Sequence, residues 1–152
     1  MNSTTDTPKV FDWTDSFELG FKQMDDSHKE FVQVVNQLLT CADEDFVKAM
    51  DDFALHAKEH FGAEDAWMRE TQFPAGDCHI DEHAAVMKSF DEVYALAVQG
   101  DVKTGRGFAQ ELMNWFPGHA DYLDSALSHW MFKKEHGGKP IVIKRSVGQR
   151  SD

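Results

Sequence analysis

The stretch FVKAMDDFALHAKEHFGAEDAWM, residues 46–68, decides the fold. Phe46, Met50, Phe53 and Ala57 recur at three and four, the period of one helix face, and His60 and Glu64 continue that seam to Trp67 and Met68. Polar side chains thus stand where the helix has to bury itself. A buried histidine or carboxylate is costly unless something satisfies it, so this helix predicts a core with a polar centre.

The same pattern spreads in both directions. Upstream, from Asp25 or Asp26 to about Cys41, His28 shares a face with Phe31, Val32, Val35, Leu38 and Leu39. The second helix runs from about Glu44 to Thr71, and Pro74 and Gly76 end it. A third, from about Asp77 to Gly100, aligns His79 and His83 with Val86, Met87, Phe90, Val93, Tyr94 and Ala97. A fourth, about Lys103 to Lys134, carries Phe108, Leu112, Trp115 and His119, then Leu123, Leu127 and Met131. Four amphipathic helices on short connections predict an all-α, up-down-up-down four-helix bundle. Residues 1–10 read as a flexible N-terminus, 11–134 as the bundle with an aromatic arm (Phe11, Trp13, Phe17, Phe21), and 135–152 as a basic tail. Ile141, Val142 and Ile143 are the one strand-like run.

Composition narrows the function. At 152 residues the chain is long enough for one cored domain. A formal net charge of −12 argues against nucleic acid, which needs clustered positive charge. No stretch approaches the ~18 apolar residues of a membrane span, and the polar start lacks a signal-peptide core, so a cytoplasmic location without membrane insertion is expected. Cys41 and Cys78 make no disulfide framework and read as small core residues, though Cys78 beside His79 has a reactive setting.

Any single histidine pair reads first as ordinary core or surface. Four facing seams that each bury one point instead to metal. Spacing at four places His60 with Glu64, and His79 with His83, one turn apart on one face. Five histidines exceed one tetrahedral zinc. A carboxylate-rich cage built on Glu-x-x-His is excluded, because no glutamate stands three residues before any histidine. A histidine-rich pair of irons remains. His56 forms a rival pair with His60, while His129 and His136 are expected at the surface.

Trp13 with Leu19-Gly20, Asp26 and His28, His60-Phe61 with Glu64 and Trp67-Met68, Phe73-Pro74 with His79 and His83, and Trp115 with His119 and Asp124 together resemble a bacterial hemerythrin over about residues 11 to 132. That resemblance implies that His79, His83 and His119 hold one iron, His28 and His60 the other, and that Glu64 and Asp124 bridge them together with an oxo or hydroxo group. It implies a non-enzymatic protein that binds dioxygen reversibly at one open coordination position, for storage or delivery, with a receiving protein as partner. An oxygen or redox sensor, and a diiron enzyme acting on peroxide, nitric oxide or iron, are the alternatives. Asp124 follows His119 by five residues, an offset of ~140° on a regular helix, so the two do not share a face unless the helix is perturbed. Pro117-Gly118 lies just upstream, and a single-turn bulge is one such perturbation. The apolar pattern fits either register (Tyr122, Ala126, Trp130 or Leu123, Leu127, Met131), with Asp121 as the competing carboxylate.

Every candidate ligand precedes Lys133, so a chain ending there should still fold and bind metal. Elemental analysis and circular dichroism of that truncation check it.

Overall fold

The computed structural model describes residues 10–136. Four rods form the bundle: α1 (Lys22–Thr40), α2 (Phe46–Glu70), α3 (Gly76–Ala97), and a fourth composed of α4 (Val102–His119), a π-helical turn (Ala120–Asp124) and α5 (Ser125–Glu135). Each rod packs on the next in sequence, and α4 closes the ring on α1. The expected architecture is therefore the observed one. No helix among the described residues is long and apolar enough to cross a membrane. The calls on residues 1–9 and 137–152, including Ile141 to Ile143, lie outside the described residues.

The helix ends have local causes. α1 begins three residues before Asp25, because the Asp25 carboxylate turns back to accept the backbone N–H groups of Leu19 at 2.7 Å and Gly20 at 3.0 Å. Gly100, at φ +103°, makes the turn after α3. Asp101 then caps α4 by accepting the Thr104 N–H at 3.0 Å. Arg106 donates to the Leu38 and Cys41 carbonyls and pairs with Asp43 at 2.8 Å, tying α4 to the carbonyl end of α1.

Two apolar clusters fill the bundle. The larger contains Phe31, Val35, Leu38, Phe46, Met50, Phe53, Phe90, Phe108, Leu112 and Phe116. The smaller, toward the other end, contains Phe21, Met24, Met68 and Leu127. Along α1 the order is Met24, His28, Phe31; along α2 it is Phe61, Glu64, Met68; along the fourth rod it is Phe116, His119, Asp124, Leu127. A polar layer is thus enclosed between two apolar ones. The N-terminal arm packs as expected: Phe11 and Phe17 are buried edge-on against Phe116, and the Asn36 side chain donates to the Phe11 carbonyl at 2.6 Å and accepts its N–H at 2.5 Å. Cys41 is half-buried and Cys78 exposed, so Cys78 departs from the core reading.

Gly105 allows α4 to approach α2. A Cβ there would stand 2.5 Å from Cζ of the fully buried Phe46 ring, whereas a Cβ at Gly107 meets nothing within 4 Å. Gly105→Ala should destabilise the fold by about 1–3 kcal/mol through overpacking. Gly107→Ala should stabilise it by about 0.5–1 kcal/mol through helix propensity. Urea midpoints at constant m-value check both signs.

Candidate metal centre

Each helix sends inward the side chains that its period demands. His28 comes from α1, His60 and Glu64 from α2, His79 and His83 from α3, His119 from α4 and Asp124 from the end of the π turn. All seven are buried, at 5% exposure or less. They converge as two groups able to hold a metal ion: His79, His83 and His119 with Glu64 and Asp124, and His28 and His60 with Glu64.

The carboxylates divide their oxygens between the groups. Glu64 Oε1 lies 3.5 Å from His79 Nε2 and 3.3 Å from His83 Nε2, while its Oε2 lies 3.3 Å from His60 Nε2 and 3.6 Å from His28 Nε2. Asp124 repeats the pattern. Its Oδ1 is 2.9 Å from His79 Nε2 and 3.1 Å from His119 Nε2, and its Oδ2 is 3.0 Å from His28 Nε2. Despite this crowding, none of the four carboxylate oxygens has a hydrogen-bond partner, nor do Nε2 of His28 and of His83. Buried polar atoms left so are expensive. A cation between them would satisfy the set, so the residues present fit a pair of metal ions.

Electrostatics points the same way. Burial opposes a charge on His28 and His79, yet the facing Asp124 and Glu64 carboxylates raise both to about 9. Burial depresses His60 to about 4, with Glu64 pulling the other way. Glu64 suffers burial and the repulsion of Asp124, but the surrounding His60, His28 and His79 hold it below the ordinary carboxylate range. Burial also pushes Asp124 up, but His119, His28 and His79 hold it well below that range. Two buried carboxylates thus stay anionic and demand nearby positive charge, which metal ions supply in place of protons.

The π turn settles the register. Across Ala120–Asp124 the backbone gains one residue, which brings Asp124 under His119 at a spacing of five. Asp124 is fully buried, Asp121 is exposed, Leu127 is fully buried and Tyr122 is 81% exposed, so the Leu123, Leu127, Met131 register holds. Pro117, inside α4, has no N–H for the ladder just upstream. His56 joins neither group; its ring stacks on His60 at 5.6 Å and its Nδ1 lies 3.6 Å from Glu30. His129 and His136 are exposed.

Sequence reasoning missed three outer residues. Ser27 Oγ is 2.5 Å from His60 Nδ1, Asp65 Oδ1 is 2.8 Å from His83 Nδ1, and Glu82 Oε1 is 2.6 Å from His119 Nδ1. Each adjoins an inward residue in sequence (His28, Glu64, His83) and reaches the histidine of the next helix round the ring. That adjacency was the available signal: one step along a helix is a turn of ~100°, which puts an acceptor at the rim of the inward face. An acceptor at Nδ1 would hold the proton there and leave Nε2 free to serve as a ligand. Two aromatic rings wall the centre. Phe61 stacks on His83 at 4.1 Å and Trp115 on His119 at 4.2 Å, with the Trp115 indole N–H donating to Glu82 at 3.1 Å.

Residues 19–129 match the family model described as the hemerythrin HHE cation binding domain. The chain is 34% identical over 125 residues to a bacteriohemerythrin of Ralstonia nicotianae, covering 82% of this chain and 91% of that one. It is 32% identical over 108 residues to a bacteriohemerythrin of Aquifex aeolicus, covering 67% and 82%. No solved structure matches.

The rival histidines should separate on substitution. His56→Ala should leave the metal content unchanged, and His60→Ala should lower it by one metal per chain, because only His60 faces Glu64 at 3.3 Å. Elemental analysis of the two purified variants checks this.

Proposed function

The chain belongs to the hemerythrin family, and from that premise we propose that His28, His60, Glu64, His79, His83, His119 and Asp124 hold two iron ions with an oxo or hydroxo bridge, at which dioxygen binds reversibly. The observation that carries this reading is the division of oxygens: Glu64 and Asp124 each offer one oxygen to the three-histidine group and the other toward the two-histidine group. A carboxylate that faces two ways could serve two ions. His79, His83 and His119 would hold one iron, and His28 and His60 the other. The iron pair supplies the redox chemistry by which dioxygen is taken up and given back.

The protein's own residues determine how that chemistry is confined. Five imidazoles contribute no negative charge when neutral, so among the described residues Glu64 and Asp124 are the anions of the inward set, and such a shell disfavours high-valent iron. The acceptors Ser27, Asp65 and Glu82 hold protons at Nδ1 of His60, His83 and His119, which keeps the Nε2 lone pairs aimed inward. Phe31 and Phe116, stacked at 5.2 Å, lie over His60 and His28, and Phe61 and Trp115 cover His83 and His119. This apolar cover keeps water and stray protons from a bound gas molecule. The arrangement suits a carrier that stores dioxygen or passes it to a receiving protein.

Purified protein should contain two irons per chain and, when reduced without air, take up one dioxygen per iron pair. A visible band should appear on oxygenation and vanish when oxygen is withdrawn. Trp115→Ala should speed irreversible oxidation at unchanged iron content and helicity. Oxidation of the wild type in a single exposure, without recovery of the reduced spectrum, would overturn the carrier reading.

A further inference from the structure

We propose that Asp65 and Glu82 are positioning residues that make the three-histidine group the tighter of two unequal metal positions, so that the His28/His60 position fills last and empties first. This rests on the ligand assignment above and goes beyond it. The difference lies in what stands behind the imidazoles. In the three-histidine group, His83 and His119 each have a carboxylate at Nδ1, from Asp65 at 2.8 Å and Glu82 at 2.6 Å. In the other group, His60 has only the Ser27 hydroxyl, and His28 Nδ1 has no partner at all.

A carboxylate at Nδ1 polarises the N–H bond and raises the electron density that Nε2 offers a cation; a hydroxyl does so weakly, and an absent partner not at all. It also places a fixed anion close to the metal, beyond the shell that touches it. The relay of acceptors round the ring explains where support stops. Ser27 of α1 supports His60 of α2, Asp65 of α2 supports His83 of α3, and Glu82 of α3 supports His119 of α4. The fourth rod returns nothing to α1: the residues flanking His119 are Gly118 and Ala120, which carry no acceptor side chain. His28 is therefore unsupported, and so is Nδ1 of His79, but both carboxylate supports, Asp65 and Glu82, fall on the three-histidine group.

The proposed weaker position also borders a surface groove. A groove of about 210 Å³ between α1 and α2 is lined by Ser27, Glu30, His56, Glu59 and His60, and so ends on a proposed ligand of the weaker position and on its hydroxyl support. His83 and His119 lie under the rings of Phe61 and Trp115, as His60 and His28 lie against Phe31 and Phe116.

The test uses the full-length diferrous protein, titrated without air with a ferrous chelator. Iron should leave in two phases separated by a plateau at one iron per chain. Proton NMR at the plateau should retain the hyperfine-shifted imidazole N–H signals of three histidines, not two. Glu82→Gln and Asp65→Asn keep the shape of each acceptor and, for Glu82, the indole contact, so the fold should survive; helicity by circular dichroism checks that. Each should weaken retention of the plateau iron by about 10–100-fold and shorten the plateau. Release of both irons in one phase, two surviving histidine signals, or an unchanged plateau in both variants would overturn the inference while leaving the diiron reading in place. A wild-type chain that never holds a second iron would overturn the ligand assignment, and this inference with it.

Discussion

Two carboxylates, Glu64 and Asp124, lie fully buried at the centre of a helical bundle, and the rest of the structure answers to their charge. Stranding a single such anion costs several kcal/mol even after relaxation, and here two share one layer. Among the described residues neither pairs with a lysine or arginine, and their ion-pair partners are imidazoles. Positive charge must therefore come from protons on His28 and His79 or from bound cations. The five inward histidines, the paired metal groups and the apolar layers above and below all follow from that requirement. The layers seal the charges from water, which strengthens every interaction between them.

Bringing Asp124 to that layer is a backbone problem as much as a side-chain one. On an uninterrupted α-helix, a residue five positions after His119 points well away from it. The π turn over Ala120–Asp124 removes the mismatch and puts both residues on the same metal group. The turn follows Pro117, where the helix has already lost a donor, so a weak place in the ladder lies next to the place where the chemistry needs an extra residue. The arm adds a further constraint on this rod. Phe17 packs on Phe116, Phe116 packs edge-on to His28, and the Ser128 hydroxyl donates to the Leu19 carbonyl at 3.2 Å. The segment before α1 thus braces both sides of the polar layer.

Support for three of the five histidines passes from helix to helix, from α1 to α2, α2 to α3 and α3 to α4. Orientation of the candidate ligands is thereby tied to the packing of the helices, and a shift of one helix disturbs a proton position on its neighbour. Gly105, which lets α4 sit close to Phe46, and Arg106, which fastens α4 to the end of α1, set that packing far from the metal groups.

Much was legible in the sequence because period and polarity conflict openly there. His28, His60, Glu64, His79, His83 and His119 occupy positions that a 3.6-residue period reserves for apolar side chains, and a bundle of amphipathic helices has only one place to put them. The helix count, the short connections and the ligand types followed from spacing alone. Asp124 could be assigned from the sequence only through a family resemblance, because apolar residues on both sides of it fit two registers and a π turn has no periodic signature. In three dimensions Asp124 is buried in the inward layer and Asp121 is exposed. Periodicity is equally silent on Ser27, Asp65 and Glu82, whose partners lie 33, 18 and 37 residues away. Sequence determines which face of a helix a residue takes; only the packed ring of helices decides which histidine that residue reaches.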